Sequence, residues 1–335
     1  MIKKDERSKH LSGVTKASGL INLELNGSNK YVVAATSDNT RRAYRSAIRQ
    51  FEKWGGRLPS EPNVLVGYLN ERAGQINPRS LELHLTAISQ WHITQSMSDP
   101  TRHPIVEKTI NGIRRIHGKP KVKAKALSLN HIVGMLSYLR ALPDSNKKAR
   151  DIALLLVGFF GAFRRSELVS INIDDLQWET DGVLITVPKS KTDQDSEGLT
   201  RGLPLGNQLI CPVSALKNWI DRIGDDKGPL FKPINKWDQI QNQSLSPGAI
   251  NVFLKQLGKK CQFDFADELS SHSFRRGMST SAAREKIDFA LIKKQGGWKN
   301  DATVWGYIEE GQSLTENATI ILMEKMLGLM NQRLG

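Results

Sequence analysis

The amino-acid sequence predicts a mainly helical protein with two domains and one small antiparallel sheet. Most of the 335 residues lie in stretches where apolar side chains recur every three or four positions, the spacing of an amphipathic helix. Two short runs rich in Val, Ile or Leu, residues 183–187 and 203–205, interrupt that pattern and predict strands. The segment KPKVKAKALS, residues 119–128, alternates lysine with other residues and has no aromatic side chain, so it predicts a linker between the domains.

The residues before the linker predict a compact bundle of four or five short helices over residues 37–118. Ser37 begins a stretch that suits a helix N-cap, and Gly55 stands where the first helix should end. Proline recurs at the start of three further helical patterns, where its missing N–H costs nothing. Residues 1–36 lack such a pattern and are expected to form a weakly ordered N-terminal arm.

The residues after the linker, 129–335, predict a larger second domain. It begins with two helical stretches, of which the second ends in the apolar run 152–160. The two predicted strands follow, and then several further helices. A last apolar stretch within residues 314–332 predicts a helix at the end of the chain.

Positive charge is concentrated in the first third of the chain. The formal net charge is +14, and residues 1–125 hold 22 Lys and Arg against 10 Asp and Glu, whereas the remainder holds 26 against 24. This asymmetry suits binding of a polyanion, most simply the DNA backbone; charge alone would equally allow a solubilising surface. Lys121 and Lys123 of the linker are candidates for phosphate contacts.

The sequence lacks the signatures of several other classes of protein. Cys211 and Cys261 form no CxxC or Cys/His cluster, and no GxxxxGK[ST] loop is present. No apolar run approaches the roughly 18 residues that would span a bilayer, and the first residues include no apolar segment of a secretory signal. We therefore expect a cytoplasmic, nucleoid-associated protein that uses no metal and no cofactor and contacts no membrane.

Residues 272–307 contain the types of side chain that a protein would need to attack a phosphodiester without a metal. His272 and Arg275 stand three apart, so on a helix they share a face, and Trp298 precedes Tyr307 by nine residues. Arginine holds phosphate oxygens in a planar fork, His and Trp donate further hydrogen bonds, and Tyr can become a covalent nucleophile. Each of these side chains alone is more often a packing or capping residue, so the signal lies in their combination.

These motifs resemble those of the tyrosine recombinase (phage integrase) family and, within it, the Cre-like site-specific recombinases. The family pattern is an HxxR box, a GGW or GGH box and then the nucleophilic tyrosine. Here these are residues 272–275, residues 296–298 and Tyr307.

Two further motifs agree with the resemblance. In GAFRRSEL, residues 161–168, Arg164 and Glu167 match the family's first catalytic arginine and the acid that steadies it. Arg165 is the alternative, but only Arg164 stands three residues before Glu167. In KSKT, residues 189–192, the family carries a mobile lysine after a strand; Lys191 is the nearer match and Lys189 the alternative.

The resemblance implies a fold and a reaction. The fold is a helical, SAM-like core-binding domain and a catalytic domain that form a C-shaped clamp on DNA. In the reaction, Tyr307 cuts and rejoins strands through a 3′-phosphotyrosyl link without metal or ATP. Arg164 and Arg275 stabilise the phosphorane, and Lys191 acts as general acid. His272 and Trp298 complete the catalytic set; an indole N–H at Trp298 donates but cannot shuttle a proton at neutral pH.

The resemblance also implies partners. These are a double-stranded recombination site with inverted repeats and a homo-tetramer on two such sites, with a monomer or a dimer on each. Residues 314–332 would be an exchange helix that docks into a neighbouring protomer, or alternatively a helix packed on its own domain. Further candidates for DNA contact are Arg41, Arg42, Arg79 and Ser80 in the first domain and Lys232 and Lys236 in the second.

The sequence also departs from the Cre pattern. Gly248 stands where Cre has a base-reading arginine, so a different target sequence is expected. Two other functions compete with the recombinase hypothesis. One is a catalytically inactive DNA-binding or architectural protein on the same fold, and the other is an enzyme like a type IB topoisomerase or a telomere resolvase.

Overall fold

The computed structural model describes residues 35–120, 122–187, 199–313 and 317–334. The chain divides into two compact units, residues 1–121 and 122–335. Helices dominate both units, and the described residues contain one three-stranded antiparallel sheet, which confirms the predicted fold class. None of the helices in these ranges has both the length and the apolar character that crossing a bilayer requires.

The first unit is a helical bundle. Its helices are α1 (Asp38–Trp54), α2 (Pro62–Arg72), α3 (Pro78–Thr94) and α4 (Pro104–His117), with a 3₁₀ turn at Pro100–Arg102. As predicted, Ser37 caps α1 by accepting a hydrogen bond from the N–H of Thr40, and Gly55 ends it in the left-handed conformation. The core contains Phe51 and Tyr68, and the Tyr68 hydroxyl lies 2.6 Å from Nδ1 of the buried His84.

The second unit contains nine helices of the described ranges around the sheet. They are α5 (Leu129–Ala141), α6 (Asn146–Phe160), α7 (Arg165–Ser170), α8 (Pro212–Ile223), α9 (Pro247–Lys260), α10 (Ser271–Arg284), α11 (Phe289–Gly296), α12 (Asp301–Gln312) and α13 (Ala318–Leu334). The apolar run of α6 is almost wholly buried, and α6 contacts α5, α8 and α10. This burial explains why apolar residues occupy all sides of the helix rather than one stripe.

The sheet has the order β1-β2-β3, with β1 at Leu176–Glu179, β2 at Gly182–Val187 and β3 at Leu199–Pro204. The sequence predicted β2 and the end of β3, whereas β1, a short edge strand without a β-branched residue, was not predicted. Val183, Ile185 and Val187 of β2 point into the core. Ile185 pairs with Arg201 of β3, which places an arginine on the buried face of the sheet.

Candidate active site

The loop after α6 places the first pair of catalytic candidates. Arg164 is the N-cap residue of α7, and its backbone N–H donates to Glu167 Oε2 at 2.9 Å. Its Nη1 donates to the other carboxylate oxygen, so the two residues are joined twice. Arg165, the alternative candidate, is the first residue of α7 and is exposed. The geometry therefore favours Arg164 as the arginine that Glu167 orients.

Glu167 is only 1% exposed and pairs with two guanidinium groups. Burial alone would raise the pKa of Glu167, but the backbone N–H of Arg164 and the guanidinium groups of Arg201 and Arg164 outweigh burial and lower it. Arg201 Nη2 lies 3.2 Å from Glu167 Oε2. Among the described residues, the Glu167 carboxylate therefore has two guanidinium partners: Arg164, which belongs to a sequence motif, and Arg201, which does not.

Arg275 lies inside the second unit, 3% exposed, and is held by two backbone carbonyl groups. Its Nη1 donates to Ala162 O and its Nη2 to Gly296 O, the latter at 2.9 Å. Burial, and then the positive charges of Arg164 and Arg201, lower the pKa of Arg275 to about 9. A buried cation beside two other cations is stabilised by an incoming anion, which is a property expected of a phosphate site.

The Gly-Gly-Trp motif brings an indole between Arg275 and Tyr307. A Cβ on Gly296 would lie 1.5 Å from the Trp298 ring, and Gly297 has a φ of +60°, so glycine suits both positions. The Arg275 guanidinium lies 4.6 Å from the centre of the Trp298 ring. The Trp298 and Tyr307 ring centres are 5.3 Å apart. Tyr307, on α12, is half-buried against the same core.

The remaining catalytic candidates are placed differently. His272 lies in the first turn of α10, the helix that carries Arg275, but it is exposed whereas Arg275 is buried. Lys191 and its alternative Lys189 lie outside the described residues, in the segment that connects β2 to β3. Arg201 was missed because no motif contains it.

The DNA-contact candidates of the first unit lie at the starts of two helices. Arg41 is half-buried and ion-paired with Asp38, while Arg42 is exposed and donates to Asn39 at 2.7 Å. Arg79 is exposed in the first turn of α3, and the adjacent Ser80 is half-buried. The first turn of α3 has no acidic residue and offers Arg79 near backbone N–H groups, an arrangement that attracts anions, whereas the first turn of α1 also carries the Asp38 carboxylate.

The candidates of the second unit separate into exposed and buried groups. Lys236 is exposed over the Trp237 ring, and Lys123 is exposed 3.5 Å from Glu310. Lys232 has a side chain only 4% exposed, and its ammonium group is paired with Asp225. Because the ammonium group is buried and paired, the structure argues against a direct phosphate contact by Lys232. Lys121 lies outside the described residues.

Within the described residues, no cluster of His, Cys, Asp and Glu side chains is arranged to hold a metal ion. In the described part of the candidate site, the charged groups are the Glu167 carboxylate and the guanidinium groups of Arg164, Arg201 and Arg275. Guanidinium donors suit an anionic ligand such as a phosphodiester.

Comparison with known proteins decides the family. The Phage integrase family profile matches residues 126–313. An integrase/recombinase xerD homolog from Selenomonas ruminantium is 34% identical over 293 residues, which is 84% of this chain and 84% of that protein. The chain belongs to the phage integrase family. The resemblance inferred from the motifs is thereby confirmed, and the chain is an enzyme of the tyrosine recombinase class.

Less similar proteins also match this chain over most of their length. Recombinase cre from Escherichia phage P1 is 24% identical over 320 residues, which is 87% of this chain and 89% of that protein. A Tn1549 transposon integrase in complex with transposon right end DNA has a TM-score of 0.60, is 13% identical, and covers 94% of this chain and 100% of its own. A XerH recombinase post-cleavage complex on a palindromic difH substrate has a TM-score of 0.59, is 17% identical, and covers 90% of this chain and 88% of its own. These two solved structures have the same fold as this chain.

Proposed function

We propose that the protein is a site-specific DNA recombinase that cuts and rejoins strands through a 3′-phosphotyrosyl intermediate. The observation that carries the proposal is the adjacency of Arg275, Trp298 and Tyr307. The Arg275 guanidinium lies 4.6 Å from the centre of the Trp298 ring, and that ring centre lies 5.3 Å from the centre of the Tyr307 ring. Phosphate held by Arg275 would lie within reach of the Tyr307 phenol, and Arg164, which Glu167 binds, supplies a second guanidinium from the loop after α6.

The reaction needs one bond to form as one breaks. The Tyr307 oxygen bonds to phosphorus and passes its proton to His272, the bond from phosphorus to the 5′-oxygen breaks, and the 5′-oxygen takes a proton from Lys191. The 5′-hydroxyl of a second strand then reverses the step with a new partner. The bond energy stays in the phosphotyrosyl link, so the exchange consumes no ATP.

The other candidates take supporting roles. Arg164 and Arg275 bind the non-bridging oxygens, on which charge grows in the phosphorane, and Glu167 holds Arg164 in place. His272, exposed on the first turn of α10, hydrogen-bonds the phosphate and accepts the proton that Tyr307 loses. The indole of Trp298 donates a hydrogen bond and packs Arg275 against the site, but it cannot move a proton at neutral pH.

The DNA partner would be a duplex site with inverted repeats, contacted by both units. Residues 37–118 act as the core-binding domain, through Arg41, Arg42, Arg79 and Ser80, and the basic residues 119–128 follow the phosphate backbone. Residues 129–335 form the catalytic domain and add Lys236. The similarity to an integrase/recombinase xerD homolog, to Recombinase cre and to XerH bound to a difH substrate supports a recombination site as the target. We expect the protein to act in the cytoplasm, at the nucleoid.

The exchange helix is the proposed link between protomers in a tetramer on two sites. In α13, Ile321, Leu322, Met326 and Leu327 are each more than half exposed in the single chain. Apolar side chains left open to this extent on one helix favour burial against another protein surface over packing on their own domain. A neighbouring protomer would supply that surface.

The test uses DNA sites selected by binding from a random pool and then nicked to trap the covalent intermediate. Wild type and Tyr307→Phe are incubated with this substrate in buffer with a chelator. A covalent adduct that forms with wild type and is absent with Tyr307→Phe supports the proposal. Specific binding without any wild-type adduct would overturn it in favour of an inactive DNA-binding protein. In a parallel assay on a closed circular plasmid that carries the site, relaxation of supercoils by a monomer without strand exchange would instead indicate a topoisomerase-like enzyme.

A further inference from the structure

Arg201 is a guanidinium group at the centre of the candidate site that belongs to none of the recognised motifs. It lies on β3, 1% exposed, with Nη1 donating to Gly161 O at 2.7 Å. We infer that Arg201 is a positioning residue that fixes the two phosphate-binding arginines, Arg164 and Arg275, relative to each other. The inference rests on the proposed function, because it assigns a role in phosphoryl transfer.

One nitrogen of Arg201 joins the partners of both arginines. Its Nη2 lies 3.2 Å from Glu167 Oε2 and 3.2 Å from Gly296 O. Glu167 is the carboxylate that holds Arg164, and Gly296 O is the carbonyl that accepts from Arg275 Nη2 at 2.9 Å. The two hydrogens on Arg201 Nη2 can therefore bond at the same time to Glu167, which holds Arg164, and to Gly296 O, which holds Arg275. A displacement of either support is transmitted through Arg201 to the other.

Arg201 also connects three separate pieces of chain. Gly161 precedes the loop that carries Arg164, and Gly296 ends α11 just before Trp298. β3 itself follows the segment that contains Lys189 and Lys191. By register Arg201 pairs with Ile185 and occupies the buried face of the sheet, so its side chain extends from the sheet to both loops. These contacts join β3 to the loop that carries Arg164 and to the end of α11.

The cost of burying Arg201 argues against a purely structural role. Its Nε has no hydrogen-bond partner within the described structure, and its guanidinium lies 4.5 Å from the centre of the Phe163 ring. Burial lowers the pKa of Arg201 to about 10, although Glu167 acts to raise it. Well-packed apolar residues often replace a buried ion pair without loss of stability. An arginine here makes sense if its forked geometry is needed to align donors for the reaction.

The experiment compares wild type with Arg201→Met, Arg201→Lys and the control Arg150→Met. Arg150 is a similarly buried arginine that donates to Asp151, and no proposed catalytic residue is its partner. Single-turnover adduct formation is measured at saturating DNA, together with the Kd for the site and thermal unfolding. Arg201→Met should lower the adduct rate about 100-fold, a loss typical of a disturbed preorganised donor, while the Kd changes less than about three-fold.

A second readout separates alignment from general destabilisation. Substrates carry sulfur in place of one or the other non-bridging oxygen of the scissile phosphate, and the adduct rate is measured for each isomer. Arg164 lies in the loop before α7 and Arg275 on α10, so loss of their alignment should affect the two isomers unequally. The rate ratio should change at least about three-fold in Arg201→Met, change less in Arg201→Lys, and stay at the wild-type value in Arg150→Met.

The outcomes distinguish this inference from the proposed function. An unchanged isomer ratio, with rates that fall in parallel with thermal stability, would show that Arg201 only stabilises the fold. Failure of both Arg201 variants to fold or to bind the site would overturn the inference in the same way. Absence of any adduct with wild type would instead refute the proposed function, regardless of the rates measured for the Arg201 variants.

Discussion

Replacing Arg275 with lysine is expected to slow strand cleavage far more than it weakens DNA binding. The guanidinium uses two nitrogens on two carbonyl groups, Ala162 O and Gly296 O, and lies against the Trp298 ring. A lysine ammonium is a single point donor and cannot span both carbonyl groups while also holding a phosphate oxygen. Loss of one preorganised donor to the phosphorane raises the barrier by about 3 kcal/mol, or roughly 100-fold to 1,000-fold in rate.

The assay is single-turnover adduct formation on the nicked substrate with saturating enzyme, and the matched control is Arg276→Lys. Arg276 is the next residue of α10, is mostly buried, and donates instead to Ala124 O and Glu310. The control should keep an adduct rate within about five-fold of wild type, since its partners lie outside the proposed chemistry. An Arg275→Lys rate in that same range would refute the role of Arg275 in the transition state. A rate loss explained wholly by a weaker Kd would refute it too.

Three further predictions follow from the site and its surroundings. The pKa of Glu167 is lowered in the folded state, so its contribution to stability is present above its ordinary pKa and is lost as pH falls through the folded value. Wild type should therefore lose more stability than Glu167→Gln between about pH 6 and pH 3, measured by urea unfolding. Parallel stability curves for the two proteins would contradict this. Gly296→Ala places a Cβ against the Trp298 ring and should lower both the melting temperature and the adduct rate, whereas Gly248→Ala, with open space at its Cβ, should do neither. Arg79→Ala should relax sequence preference in a selection from a random pool, and a uniform loss of affinity with a smaller salt dependence would mark Arg79 as a phosphate contact.

Local signals in the sequence were sufficient for most of the helices. Capping residues such as Ser37 and Gly55, and the prolines at helix starts, act within one turn of their own position, so they can be read without knowing the rest of the fold. The short edge strand β1 lacked such a signal, because an exposed four-residue strand needs no apolar alternation. Its place is determined by pairing with β2.

The candidate site was predictable only where a motif named its residues. The contacts of Arg275 with Ala162 O and Gly296 O join positions far apart in the chain, and spacing alone could not have predicted them. The strand pattern of β3 does contain a signal for Arg201, because alternation places Arg201 on the same face as the buried Leu203. An arginine on the apolar face of a strand indicates a buried partner, here Glu167.

The most direct test of the central claim is to identify the residue that carries the DNA. The covalent adduct formed on the nicked substrate would be digested with nuclease and protease, and the nucleotide-bearing peptide sequenced by mass spectrometry. We expect a nucleotide joined through its 3′-phosphate to Tyr307. A nucleotide on any other side chain, or a link through a 5′-phosphate, would contradict it.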